Sequence, residues 1–218
     1  RQSLLTGKYP HATGVNLLFT PFPDDGNETI AEHLDDYACG LFGKTHFNNW
    51  VWYNLYENGL PKHGFDVLIE GGDYKKFLEN QTIPPIPENT DYYDRKKATG
   101  KGVAEWMNCR TLPHPVQDKY SQGTFYANQA IDYIEENKEN PFFVWLAFHQ
   151  PHHPYYFPIE YKDKYNPDEM PLPEGSPEDD RWIPEKFRHL SDEEKRGIIA
   201  SYYTSTEYMD KNIGLVLD

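Results

Sequence analysis

A chain of 218 residues can bury the core of one α/β domain or of two small ones. Its 38% hydrophobic and 26% charged residues place it among globular rather than disordered chains. Its net charge of −14, from 21 basic and 35 acidic residues, argues against a nucleic-acid binder, which would carry a basic stripe. No stretch approaches the roughly 20 apolar residues of a membrane span. Two cysteines, Cys39 and Cys109, are too few for a disulfide framework and lack metal-site spacing. The 17 Tyr, 12 Phe and 5 Trp suit a carbohydrate-facing protein, although an aromatic core accounts for most of them. The chain opens on Arg1 without a signal peptide and ends inside an unfinished helical pattern, so it reads as a fragment.

In chain order, RQSLLTG reads as a helix closed by Gly7, and GKYPHATGVN as a turn-rich loop. Thr29 and Glu32 form a capping-box pattern that predicts a short helix over about Ile30 to Asp36. Ala38 to Phe42 reads as a small buried strand, with Cys39 a buried thiol inside it. Gly43 breaks the strand, and Lys44 and His46 follow at once. Residues 47–122 are less regular. They hold an aromatic cluster (Trp50, Trp52, Tyr53 and Tyr56, more core than sugar platform), a short strand near His63 to Gly72, and a proline-rich loop from Ile83.

Thr124 to Lys138 reads as an amphipathic helix with Phe125, Ile131 and Ile134 on one face. It leads into an unbroken apolar run, Phe142 to Phe148, expected to be a strand buried on both faces of a parallel sheet. Helix then strand is the order of a βαβ crossover. His149, His152 and His153 follow, spaced by Pro151 and Pro154. Tyr155 to Arg188 reads as a long irregular loop. A second capping box, Ser191 to Glu194, opens a long helix whose apolar positions include Ile198, Tyr202, Tyr208, Met209 and Ile213.

Two strands that both end in cationic or imidazole groups would place those groups on one edge of a parallel sheet, where ligands of open α/β folds bind. Arg1 with Lys8, Lys44 with His46, and the His149 to His153 group are the polar clusters. Such groups suit an oxyanionic ester, sulfate or phosphate. Arg grips its oxygens bidentately, Lys acts as a point charge, and His can protonate a leaving oxygen.

At this point RQSLLTGKYPHATGV resembles the signature of type I sulfatases, in which Cys-x-Pro-Ser-Arg leads into a helix ending Leu-Thr-Gly-Arg/Lys. TIAEHLDDYACGLFGKTHF is similar to the next block, usually ending Gly-Lys-Trp-His, with Thr45 in place of the Trp. HGFD, NPFFVW, PHHPYYFP and YYTSTEYMDKNIG match later blocks in order. The resemblance covers nearly the whole chain and implies an alkaline-phosphatase-like α/β sandwich, a mostly parallel central sheet flanked by helices. Residues 1–218 would be the central part of its catalytic domain.

The resemblance further implies a formylglycine nucleophile four positions before Arg1, and a maturation enzyme that makes it. Arg1 would orient the formylglycine, Lys44 would bind a sulfate oxygen, and His46 would take a proton as sulfate is released. His152 would contact sulfate and protonate the leaving oxygen; Lys8 is a weaker candidate for substrate contact. A Ca²⁺ ion is implied, with ligands outside this chain, so no metal ligands are assigned here. The implied reaction is hydrolysis of sulfate esters of carbohydrates or aryl alcohols, with this segment alone inactive. The alternatives are a phosphodiesterase or phosphonate monoester hydrolase of the same superfamily, or a non-catalytic carbohydrate-binding relative. The family also implies export, which the sequons at Asn27 and Asn80 would suit.

Overall fold

The computed structural model describes residues 1–17, 20, 22–23, 26–47 and 62–218. The aromatic cluster at Trp50 to Tyr56 lies outside the described residues. The chain forms two compact units, residues 1–83 with 124–149, and residues 84–123 with 150–218.

The first unit is built on three parallel strands, β1 (Ala38–Gly43), β2 (Val67–Ile69) and β3 (Phe142–Ala147), in the order β2-β1-β3. Alternation along β1 sends its side chains to two separate cores. Cys39 and Leu41 pack with Leu5, Phe22, Ala31, Phe47 and Phe65 on one face. Phe42 packs on the other face with Phe125, Tyr126, Ala130 and Tyr133 of helix α6 (Gln122–Asn137). Each neighbouring strand contributes to both cores: Leu68, Phe143 and Trp145 to the first, Val67, Ile69, Val144 and Leu146 to the second. A parallel sheet covered on both faces is the expected α/β layering.

The apolar run 142–148 forms its strand as expected, but it is not the most buried one. Among the described residues β3 lies at the sheet edge and its residues are mostly half-exposed, whereas β1 is central and Leu41 is fully buried. An unbroken apolar run does not distinguish a central strand from an edge strand whose two faces are both covered. On α6 the buried centre falls on Ala130 and Tyr133, with Ile131 and Ile134 at its flanks.

Helix α1 (Gln2–Thr6) ends at Gly7 in the left-handed conformation, as expected. The following segment is not all loop, because Pro10 starts a one-turn helix, α2 (Pro10–Thr13), at a position where its missing N–H costs nothing. The Thr29–Glu32 capping box forms, but the helix it opens is a 3₁₀ turn, Ile30–His33, shorter than the expected span to Asp36. Within 47–122 the structure adds α3 (Gly71–Glu79), whose double-glycine start hides it from propensity. Reciprocal capping between Glu70 and Asp73 starts it instead. HGFD is a packing motif. The His63 ring lies against Phe22 and Phe47, Phe65 fills the core, and Asp66 accepts the Cys39 amide at 2.8 Å.

The first sequon is committed to the fold. Asn27 is buried with Nδ2 donating to the Thr13 carbonyl at 3.1 Å, and Thr29 donates to the His63 carbonyl at 2.6 Å. Asn80, by contrast, is exposed at the end of α3.

The second unit contains α4 (Arg95–Ala98), α5 (Val103–Trp106), α7 (Glu185–Arg188) and the long α8 (Asp192–Leu217). The loop Tyr155 to Arg188 carries three 3₁₀ turns before the one-turn α7. The Ser191 capping box forms as expected, Ser191 Oγ accepting from the Glu194 amide at 3.1 Å and the Glu194 carboxylate from the Ser191 amide at 2.8 Å. The buried stripe of α8 is not the expected apolar set. It consists of Gly197, Ala200, Ser201, Thr204, Ser205, Tyr208 and Asn212, and of the five expected positions only Tyr208 is buried. Small residues let other backbone approach closely. A Cβ on Gly197 would stand 1.7 Å from the Cys109 carbonyl oxygen.

Candidate active site

The register of the sheet creates the site. Gly43 and Ala147 are partners at the last rung of β1 and β3, and the Lys44 amide donates to the Ala147 carbonyl at 2.8 Å. The chain therefore leaves both strands at one sheet edge, carrying Lys44 and His46 from β1 and His149 from β3, as the strand-exit pattern predicts. Glu70 leaves β2 at the same edge, one residue beyond the Phe42–Ile69 rung. Gly43 is required there. Its φ is 106°, and a Cβ would lie 2.1 Å from the Ala147 oxygen.

Arg1 sits at the N-cap of α1, its carbonyl accepting the Leu4 and Leu5 amides at 3.0 Å. Its charge acts on Lys44. Burial first, and the like charge of Arg1 second, push the Lys44 ammonium down to about 8 from its ordinary 10.5. Burial also lowers the Arg1 guanidinium, which stays charged in a protein nonetheless. Two cations brought near each other and partly desolvated gain from an anion between them.

His46 holds a left-handed backbone, φ 63°, which a non-glycine residue adopts at a cost of roughly 1–3 kcal/mol. Its flanks are tied. Gln2 Nε2 donates to the His46 carbonyl, and Thr45 Oγ1 donates to the Glu70 carboxylate while accepting the Phe47 amide. Thr45 and Glu70 are both buried. Lys8 faces elsewhere in this unit, its Nζ donating to the Gly26 carbonyl at 2.5 Å.

His152 lies in the second unit, exposed in the turn of Gln150 to Tyr155. Its ring stacks on His153 at 4.2 Å between centroids, and Nδ1 is 2.6 Å from the His153 carbonyl. A carbonyl only accepts, so Nδ1 is the donor in this contact. His153 faces Trp106, over whose ring Arg95 lies at 4.9 Å. The structure thus brings Arg1, Lys44 and His46 together within one unit and places His152 in the other.

Sequence reasoning missed Gln2 and Glu70, which touch the backbone or neighbours of Lys44 and His46. Glu70 had a signal: it follows an apolar triplet at a strand exit, as Lys44 does. Among the described residues no group of three or more His, Cys, Asp or Glu is gathered to hold a metal ion. None of their helices is long and apolar enough to cross a membrane.

Comparison with known proteins agrees with this architecture. A sulfatase from Formosa agariphila is 25% identical over all of this chain and 44% of its own length. An ulvan-active sulfatase from the same organism is 29% identical over all of this chain and 36% of its own length. The chain thus spans less than half the length of these curated relatives. Among solved structures, the phosphonate monoester hydrolase SpPMH from Silicibacter pomeroyi superimposes with a TM-score of 0.70 at 22% identity, over 99% of this chain and 48% of that one. The sulfatase family model matches residues 1–218. The chain belongs to the sulfatase family.

Proposed function

We propose that residues 1–218 are the central part of the catalytic domain of a sulfuric ester hydrolase, and that Arg1, Lys44, His46 and His152 serve its reaction. The observation that carries this is the parallel-sheet edge at which Lys44 and His46 leave β1, with Lys44 partly desolvated by burial and Arg1 near enough for its like charge to act on it. Two such cations suit a tetrahedral oxyanion. The ulvan-active sulfatase and the mouse iduronate 2-sulfatase, 27% identical over all of this chain, point to sulfated carbohydrate as the substrate class.

In this proposal a formylglycine four positions before Arg1 supplies the oxygen nucleophile. Arg1 orients it and balances its charge. Lys44 holds an equatorial oxygen of the ester and offsets negative charge as it builds there. His152, in its imidazolium form, donates a proton to the leaving oxygen and is left as the neutral imidazole. His46 takes a proton as sulfate departs. Calcium belongs to this proposal for the whole protein, but no step here is routed through a metal. Export and a formylglycine-forming maturation enzyme likewise follow from the family.

A second chemistry fits the same groups. A phosphonate monoester has the same single negative charge and tetrahedral oxygens, so two cations and an imidazole do not separate sulfur from phosphorus. Matched 4-nitrophenyl sulfate and 4-nitrophenyl phenylphosphonate, offered to the intact protein, distinguish them. The sulfatase proposal expects the larger kcat/KM on sulfate, lost on Lys44→Ala. A larger value on the phosphonate would replace it, and no hydrolysis of either would favour a non-catalytic carbohydrate-binding relative.

A further inference from the structure

We propose that Thr45 and Glu70 form a positioning clamp that holds the Lys44–His46 segment in its working geometry. This rests on the functional proposal for Lys44 and His46. The segment between those residues is three positions long and leaves the strand through a glycine in a left-handed conformation. Such an exit has little stiffness of its own. Thr45, at its middle, turns inward and donates to Glu70, a carboxylate from the neighbouring strand exit. Thr45 also accepts the Phe47 amide at 3.2 Å, which fixes the segment's far end to the Phe22–His63 aromatic packing.

Glu70 is an unusual residue to find here. Glutamate is not among the favoured N-caps, and a buried carboxylate is costly unless hydrogen-bonded. Glu70 is nevertheless 6% exposed, caps α3 and accepts from Thr45. The cap roots the carboxylate in a nine-residue helix, so the clamp joins the segment to a rigid element. In the pattern the segment resembles, an indole occupies the position of Thr45. The Thr45 hydroxyl instead restrains the loop through its hydrogen bond to Glu70.

The cap and the clamp are separable. Asp73 accepts the Glu70 amide at 3.0 Å and shares the capping box, whereas Thr45 bonds to the Glu70 carboxylate. In the intact protein acting on an aryl sulfate, Thr45→Val should lower kcat/KM by about 10- to 100-fold, since displacement of a contact group by ~1 Å costs up to about 100-fold. It should raise the inhibition constant of inorganic sulfate. Thr45→Ser should recover activity to within about threefold of wild type. Glu70→Ala should resemble Thr45→Val, while Asp73→Ala should keep wild-type activity.

If Thr45→Val does not fold, the Glu70→Ala and Asp73→Ala pair decides. Wild-type turnover in Thr45→Val, or equal losses in Glu70→Ala and Asp73→Ala, would overturn the clamp. Lys44→Ala and His46→Ala separate this from the underlying reading. If they abolish hydrolysis while the clamp variants do not, only the clamp fails. If they leave hydrolysis intact, the site itself has been misplaced.

Discussion

The first unit packs apolar side chains on both faces of a parallel sheet, whereas in the second the polar side chains of one long helix bond to the carbonyls and side chains of loops. In the first, β1 divides its residues between two hydrophobic clusters. In the second, Ser201 donates to the Asn108 carbonyl at 2.7 Å and Ser205 to the Tyr156 carbonyl at 3.2 Å. Tyr208 shares a hydrogen with Ser121, and Lys211 pairs with Asp118 at 2.8 Å. Burial of apolar area is non-directional and tolerant of small shifts. Hydrogen bonds to loop carbonyls are directional and fix irregular backbone in place. The sheet therefore fixes the strand exits that carry Lys44 and His46, and the hydrogen bonds of α8 fix the irregular backbone of the second unit.

The contrast can be broken by substitution. The largest loss should follow Leu41→Ala, which empties a fully buried position between β2 and β3 and should cost about 2–5 kcal/mol by chemical unfolding. A cost under about 1 kcal/mol would mean that the sheet core is not the main support of the first unit. Ser201→Ala should cost roughly 1–1.5 kcal/mol, because the buried Asn108 carbonyl would lose the Ser201 hydroxyl and keep only the Thr111 amide. Hydrogen exchange should place that loss at residues 103–112 and along α8. A loss spread evenly over the sheet would contradict the division into two modes of support.

Acid should act on the second unit next. Burial lowers the His114 imidazole from 6.5 to about 4, with its ring edge-on to Tyr156 at 4.8 Å. Between those two values the unfolded chain binds the proton and the folded chain does not, so this contribution to stability falls as pH falls through that window. His114→Phe should flatten the slope. An unchanged slope would assign the acid sensitivity elsewhere. The smallest effect should come from Ser191→Ala, about 1 kcal/mol from the lost cap of α8, read as fraying of its first turn.

The same contrast explains what could be read from sequence. The strands at Ala38 and Phe142, the helix between them, and the capping boxes at Thr29 and Ser191 all announce themselves, because apolar periodicity and cap chemistry are local. The buried stripe of α8 does not. Ser201, Thr204 and Ser205 look like a solvent face until loop carbonyls arrive from residues 108 and 156. For the site, Lys44 and His46 were legible as strand-exit residues, and the structure sets them at one edge with Arg1 acting on Lys44. Glu70 was legible as a strand-exit residue, but which groups the supports hold was not. Gln2 reaches His46 across 44 positions and Glu70 reaches Thr45 across 25, distances over which no local pattern carries information.

The central claim is that Arg1 and Lys44 form an oxyanion site, and sulfate affinity measured against pH tests it most directly. Lys44 titrates at about 8, so it is charged below that value and loses its proton above it. Folding stability from this residue should rise between about 8 and 10.5, where the unfolded chain binds more protons, while sulfate binding should weaken. The intact protein should bind sulfate with an affinity that falls as pH rises through about 8, and Lys44→Ala should bind weakly at every pH. Equal sulfate affinity in wild type and Lys44→Ala at pH 7 would contradict the account.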